Sequence, residues 1–118
     1  MNKLVDFRFH DDYAVVHAGQ EVPEHTQQAL ENYLIRGYMP GGFLTACLVG
    51  DLYRAVQSAD TANRQNLWVI VRWIMIYAPE GSWGSADAMR DWAADKNGCR
   101  TQYQKQCEKG KVWLTLVR

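Results

Sequence analysis

The side chains that could do chemistry are few in this chain of 118 residues. Its histidines, His10, His17 and His25, all lie in the first quarter of the sequence, at spacings that match no pair of metal ligands on a helix. A metal site that combines two of them with Cys99 or Cys107 is the alternative. The spacing favours solvated or locally bonded imidazoles, so we predict no metal site and no cofactor.

A catalytic set is not recognisable either. No serine stands at a strand-turn-helix elbow, and the Gly41-Gly42 pair, which could present backbone N–H groups to a phosphate, has no following lysine. An enzyme would require residues such as His10, His17, Asp51 and Cys99 to converge in one pocket. We predict that the chain is not an enzyme and has no catalytic residues.

The distribution of charge along the sequence gives one local indication of nucleic-acid binding. Lys plus Arg equal Asp plus Glu at 13 each, so no net charge favours nucleic acid. Between residues 96 and 118, however, Glu108 is the only acidic residue among several cations and interleaved aromatics. The candidate nucleic-acid contacts are Arg100, Lys105, Lys109 and Lys111. The same cations are also typical of a solvated face.

A twelve-residue apolar run, LWVIVRWIMIYA from Leu67 to Ala78, dominates the sequence. On a helix, Leu67, Val71, Ile74 and Ala78 line one face, and Val69, Trp73 and Ile76 line the opposite one. The run is too short to span a bilayer, which needs about 20 residues. We therefore predict a central helix whose second face is covered by a partner, a second copy or a sheet.

Two further side chains, one within this run and one in the loop after it, are candidates for specific contacts. Arg72 is its one charged residue, and we predict a buried ion pair with Asp51 or Asp60, the alternative being a side chain that extends its guanidinium to the solvent at the rim. Trp83 stands in a Gly/Ser loop, where it is either an exposed interface anchor or a cover for the end of the central helix. The predicted partner-binding residues are Val69, Trp73, Ile76 and Trp83.

The pattern of elements predicts an α+β fold in one domain, residues 1–118. Period-two alternation favours an N-terminal hairpin over residues 3–17 and a strand over residues 111–117, paired in a small antiparallel sheet. Helical patterns and caps predict four helices within a core from about 23 to 96. The first begins at Pro23 and is ended by Gly37, and the second covers about 43–56. The third is capped by Asp60 and ends after Ala78, and the fourth is capped by Ser85 and covers about 86–96. The part from about 97 to 118 is predicted as a C-terminal extension, with a weak helix or loop over residues 99–110.

Several short motifs carry a resemblance. They are Ala29-Leu30 with Tyr33, Pro40-Gly41-Gly42-Phe43-Leu44, Asp51-Leu52, Ala59-Asp60, and Trp83-Gly84-Ser85 followed by Trp92. In these motifs the chain resembles a family of small proteins encoded by tailed phages and prophages. The resemblance covers more than half of the chain and implies a bacterial cytoplasm during infection or lysogeny. It implies no activity and no site residues.

The cysteine count and the N-terminus agree with that setting. The three cysteines are odd in number, and the first ten residues hold no apolar run typical of a signal peptide. We therefore expect a cytoplasmic, non-membrane protein that binds and modulates a host protein, such as a defence or replication enzyme. Self-association through Val69, Trp73 and Ile76 is a further expectation. The alternative is a nucleic-acid-binding regulator that uses the basic C-terminal segment.

Overall fold

A computed structural model of the chain describes residues 22–108, and this part of the chain is helical. Its α-helices are α1 (Glu24–Arg36), α2 (Gly42–Val49), α3 (Leu52–Ser58), α4 (Thr61–Gln65), α5 (Leu67–Tyr77), α6 (Ala86–Ala93) and α7 (Cys99–Glu108), with a 3-10 turn at Lys96–Gly98. Most of the links between them are short, and α2 packs closely against α3 and α6 against α7.

The predicted α+β fold is wrong, because residues 22–108 contain helices and no strand. The hairpin predicted over 3–17 and the strand predicted over 111–117 lie outside the described residues. We expected a sheet from the period-two alternation near both ends of the sequence, and we expected it to cover the second face of the apolar central helix. Instead α5 buries only one half of its surface, and the described helices enclose the core.

Caps read from the sequence define several helix ends. Asp60 accepts a hydrogen bond from the backbone N–H of Asn63 at 2.8 Å, and Ser85 accepts one from Ala88 at 3.0 Å, so both are N-caps as predicted. At the end of α1, Gly37 adopts a left-handed conformation with φ of 77°. Its N–H donates to the carbonyl of Tyr33, which terminates the helix as predicted.

Two predicted helices are broken. The helix expected from about residue 43 to 56 stops at Gly50 (φ 87°) and restarts after Asp51, whose carboxylate accepts from the N–H of Arg54 at 3.1 Å. The helix expected from Asp60 to Ala78 is divided at Asn66 into α4 and α5. The first break is a local glycine and cap signal that prevails over the longer apolar pattern. At the second, the side-chain amide of Asn66 donates to the carbonyl of Ala62 at 2.8 Å and does not cap α5.

The core forms around α1, which contacts α2, α6 and α7. Tyr33 donates its hydroxyl to the carbonyl of Ser82 at 2.7 Å, and Trp92 donates its indole N–H to the carbonyl of Leu34 at 3.2 Å. These two bonds tie the middle of α1 to the α5–α6 loop and to α6. Both aromatic side chains are thereby buried with their polar atoms satisfied.

Helix α7 is part of this core rather than an appended segment. Tyr103 and Cys107, one turn apart on α7, are both buried in the main hydrophobic cluster. The Tyr103 ring packs edge-on against Trp92 of α6, with centroids 5.8 Å apart. The segment predicted as a weak helix or loop is therefore a helix, stabilised by tertiary packing that its polar composition does not reveal.

Candidate protein-binding surface

The central helix α5 has a buried half and an outer half. Val69, Ile70, Trp73 and Ile74 are buried in the core. Trp68, Met75 and Ile76 are exposed on the other side, with the half-buried Arg72 among them. We refer to Trp68, Arg72, Met75 and Ile76 as the outer face of α5.

This division cuts across the two faces predicted from the sequence. Val69 and Trp73, predicted to contact a partner, are 0% and 3% exposed and cannot do so while the core is closed. Ile76, from the same predicted face, is exposed. The helix is apolar all round, so its sequence leaves its rotation about its own axis undetermined. The observed rotation differs by roughly a quarter turn from the predicted one.

An apolar groove lies between α3 and α5. It has a volume of about 110 Å³. Its lining consists of Ala46, Cys47, Gly50, Asp51, Leu52, Ala55, Leu67 and Val71, and we call it the α3–α5 groove. The turn at Gly50-Asp51 creates it, because the chain leaves α2 there and α3 departs in a new direction.

Helix α3 exposes most of its apolar side chains beside this groove. Of its seven residues only Ala55 is buried. Leu52 is 62% exposed, Tyr53 is 86% exposed and Val56 is also exposed. Such a concentration of large apolar side chains on one short helix is costly in water and typical of an interaction site.

The position of Arg72 is the main electrostatic feature near the groove. Its Nε is buried and has no hydrogen-bond partner among residues 22–108. Its Cζ lies 5.9 Å from the ring centroid of Trp68, within the range of a cation–π contact. Within the described part of the chain, the predicted ion pair with Asp51 or Asp60 is not formed.

The two predicted acidic partners of Arg72 have other roles. Asp51 caps α3 and lies at the edge of the α3–α5 groove. Asp60 caps α4, and its Oδ2 lies 2.9 Å from Nε2 of His25 at the start of α1. The hydrogen bond from the Asn63 N–H and the contact with His25 lower the pKa of Asp60 below its ordinary value.

Trp83 takes the second of its two predicted roles. It is half-buried and packs against the core. The next residue, Gly84, donates its N–H to the carbonyl of Leu48 at 2.7 Å, which fixes the loop against the end of α2. Trp83 therefore covers the core from the α5–α6 loop.

Of the four predicted nucleic-acid contacts, the structure describes Arg100 and Lys105. Arg100 is half-buried, and its guanidinium donates to the carbonyls of Ile35 at 3.0 Å and Trp92 at 3.3 Å. It thus joins the C-terminal ends of α1 and α6 and is not directed at a ligand. Lys105 is exposed, whereas Lys109 and Lys111 lie outside the described residues.

A second, more polar cleft of about 340 Å³ lies between the α5–α6 loop, α6 and the 3-10 turn. It is lined by Glu80, Gly81, Ala88, Asp91, Trp92, Lys96, Asn97 and Cys99. Its charged groups are partly paired, since Nζ of Lys96 lies 3.6 Å from Oδ2 of Asp91. Cys99 is exposed at this cleft, and Cys107 is buried two turns along α7, with no disulfide between them.

Of the residues that an enzyme would have required, the two that the structure describes line different cavities. Asp51 lines the α3–α5 groove, Cys99 lines the polar cleft, and His10 and His17 lie outside the described residues. Across residues 22–108, no three His, Cys, Asp or Glu side chains are grouped so that they could hold a metal ion.

Leu52, Tyr53 and Val56 were missed by the sequence analysis as surface residues. Leu52 and Val56 fit the apolar stripe of one long helix that includes Leu44 and Leu48, and this pattern predicts them to be buried. The signal that could have corrected this is local. Gly50 is a good helix terminator and Asp51 a good N-cap, so the pair predicts two helices with independent orientations.

No helix within residues 22–108 is long and apolar enough to cross a membrane. Comparisons of the chain with protein-family models, curated proteins and solved structures found no match. The resemblance to tailed-phage proteins therefore remains a prediction from sequence motifs, and the case for a function depends on the surface described above.

Proposed function

We propose that this chain is a non-enzymatic protein-binding domain and that the α3–α5 groove, with the exposed side chains around it, is its contact surface. One observation carries the proposal: α3 exposes Leu52, Tyr53 and Val56, and Leu52 lines an apolar groove. Clustered exposed apolar groups are stabilised by removal from water, and a protein partner can achieve this.

The composition of the surface also suits a protein partner. Aromatic and arginine side chains contribute most to protein interfaces, and here Tyr53, Trp68 and Arg72 surround aliphatic side chains. A concave groove beside protruding side chains allows a partner side chain to be enclosed on several sides. The groove is small, which favours one inserted side chain over a small-molecule ligand.

The partner class follows from the sequence resemblance alone. If the chain is a tailed-phage or prophage protein, its partner is a host protein in the bacterial cytoplasm, and binding modulates that protein. The groove supports binding of a protein, and the resemblance supplies the setting.

Affinity capture from a nuclease-treated bacterial lysate tests the proposal. We expect the tagged full chain to retain a stoichiometric protein, and we expect Leu52→Glu to lose it, because a carboxylate would have to be desolvated in the groove. Met39→Glu is the matched control, since Met39 is also exposed but precedes α2, at the opposite end of that helix from the groove. Equal retention by both variants would contradict this location of the surface.

The same experiment addresses the nucleic-acid alternative. Retention of nucleic acid that disappears after nuclease treatment, together with loss of all bound protein, would favour the basic C-terminal segment. Binding through that segment would weaken steeply with salt. Because Arg100 is bound to backbone carbonyls, such binding would depend on Lys105 and on lysines outside the described residues.

A further inference from the structure

We infer that the α3–α5 groove and the outer face of α5 bind a second copy of this chain in a two-fold symmetric dimer, in which Arg72 of each copy pairs with the Asp51 carboxylate of the other. This inference rests on the proposed function of the same surface and names one occupant for it. Three features of the surface carry it: a donor without an acceptor, an acceptor on the same surface, and complementary shapes.

The donor is the guanidinium of Arg72. A buried Nε without a hydrogen-bond partner is rare in folded proteins, and no described residue of the chain supplies an acceptor. The cation–π contact with Trp68 positions the group but cannot accept its N–H bonds. The buried Nε itself is closed to a second molecule, but the two terminal Nη atoms of the same guanidinium are not buried and form no hydrogen bond within residues 22–108. A carboxylate from a second copy would bind there and neutralise the charge.

The acceptor is Asp51, at the edge of the α3–α5 groove. It accepts a capping bond from the Arg54 N–H through Oδ1, it is exposed, and it forms no ion pair within residues 22–108. In an isologous contact, residue i of one copy meets residue j of the other and the reverse. One complementary pair on the surface therefore becomes two ion pairs across a two-fold axis.

The shapes are complementary as well. Tyr53 protrudes from α3 with 86% of its surface exposed, and its neighbour in sequence, Leu52, lines the concave, apolar α3–α5 groove. A two-fold contact places a protruding side chain of each copy against the groove of the other. The exposed apolar side chains of α3 and α5 together offer an area on the order of 600 Å², close to the roughly 800 Å² that each partner contributes to a stable interface.

The test uses two charge-reversed full-length chains, Arg72→Glu and Asp51→Lys, and sedimentation equilibrium over a concentration series. The wild-type chain is expected to be a dimer. Each variant alone places like charges opposite one another twice and is expected to dissociate at least about tenfold more readily.

An equimolar mixture of the two variants restores the charge pattern. The glutamate introduced at position 72 of one chain would face the lysine introduced at position 51 of the other. The second pair would consist of the unchanged Arg72 and Asp51, one from each chain. The mixture is therefore expected to form a heterodimer.

Milder variants distinguish loss of the dimer from loss of the fold. Asp51→Asn keeps the N-cap of α3 and Arg72→Gln keeps the volume near Trp68, so both are expected to retain wild-type circular dichroism while weakening the dimer. A wild-type chain that is monomeric throughout the series would overturn the inference, as would variants that dimerise like the wild type or a mixture that fails to associate although both chains are folded. A monomer that still captures a lysate protein through Leu52 would overturn the dimer and leave the proposed function standing.

Discussion

The guanidinium of Arg100 occupies the space that a side chain at Gly37 would need. A Cβ placed on Gly37 would lie 2.8 Å from Nε of Arg100 and 2.9 Å from its Cζ. Gly37 also has a left-handed φ of 77°, which glycine adopts at low cost. The end of α1 and the start of α7 are therefore held together by a close approach that only glycine permits and by hydrogen bonds to the carbonyl ends of α1 and α6.

Gly37→Ala is expected to lower the free energy of unfolding by about 2 kcal/mol, because it combines a disfavoured φ with the displacement of Arg100. Chemical denaturation of the full chain measures this. The equivalent substitution at Gly42, whose added Cβ would meet nothing within 4 Å, is the control. A Gly37→Ala chain as stable as the Gly42→Ala chain would contradict the close approach.

Arg100→Ala is expected to cost about 2 kcal/mol, since charged donors to the carbonyls of Ile35 and Trp92 are removed. Lys105→Ala on the same helix, at an exposed site, is expected to change the free energy of unfolding by less than about 0.5 kcal/mol. If Arg100→Ala left stability unchanged and instead reduced binding to nucleic acid, Arg100 would be a ligand contact and not a structural clamp.

The two halves of α5 are expected to respond very differently to truncation. Trp73→Ala should lower the free energy of unfolding by about 3 kcal/mol or more, because it opens a cavity in the core. Met75→Ala, two residues away on the outer face, should change it by less than about 0.5 kcal/mol. Similar losses for both variants in thermal or chemical unfolding would show that the rotation of α5 is different.

The three thiols are expected to differ in reactivity. Cys99 is exposed, whereas Cys47 and Cys107 are buried, and burial raises the pKa of the Cys47 thiol to about 12. A thiol-specific reagent should therefore modify one cysteine rapidly and the other two only as the chain unfolds. Cys99→Ser should abolish the rapid phase. A rapid phase that survives this substitution would contradict the packing of α2 and α7.

Acid is expected to destabilise the fold partly through Asp95. The backbone N–H and hydroxyl of Thr101 donate to its carboxylate and lower its pKa below the ordinary value. A carboxyl group with a lowered folded-state pKa stabilises the fold above its unfolded pKa, near 3.8, and loses that contribution as the pH falls through the folded value. We therefore expect stability to decline as the pH falls below about 4.

Asp95→Asn isolates this contribution, because asparagine tolerates the positive φ of 59° at this position. The variant should be less stable than the wild type at neutral pH, and the difference should shrink as the pH falls below about 4. Urea unfolding at a series of pH values measures it. A difference that is independent of pH would mean that the carboxylate charge contributes nothing.

The ends of several helices were predictable from the sequence, whereas the packing of the helices against one another was not. Asp60, Ser85 and Gly37 each act within a few residues, so their roles as caps and terminators were predictable. The orientation of α5 was not, because an apolar residue at nearly every position leaves no polar stripe to mark the solvent side. The helical state of α7 depends on burial of Tyr103 and Cys107 against α6, a contact that the surrounding polar residues conceal.

The sequence predicted an apolar, aromatic contact surface but did not predict which residues form the candidate surface. An excess of apolar and aromatic residues indicated an interface, and α5 indicated its neighbourhood. The exposure of Leu52 and Val56 depends on a change of chain direction at Gly50-Asp51, which a continuous helical stripe masks. The lack of a hydrogen-bond partner for Nε of Arg72 among residues 22–108 was likewise not predictable. The sequence alone does not show whether Asp51 or Asp60 lies close to Arg72 in the fold.

Site-specific photo-crosslinking is the most direct measurement of whether the α3–α5 surface binds protein. A photoreactive phenylalanine analogue replaces Tyr53 in one full-length chain and Tyr38 in another, since both tyrosines are exposed and only Tyr53 is on α3, next in sequence to Leu52 of the groove. Irradiation in bacterial cells is expected to give a discrete cross-linked product from position 53 and none from position 38. A product that contains only this chain identifies the dimer, and one that contains another protein identifies a host partner. No product from position 53, or equal products from both positions, would contradict the assignment of this surface.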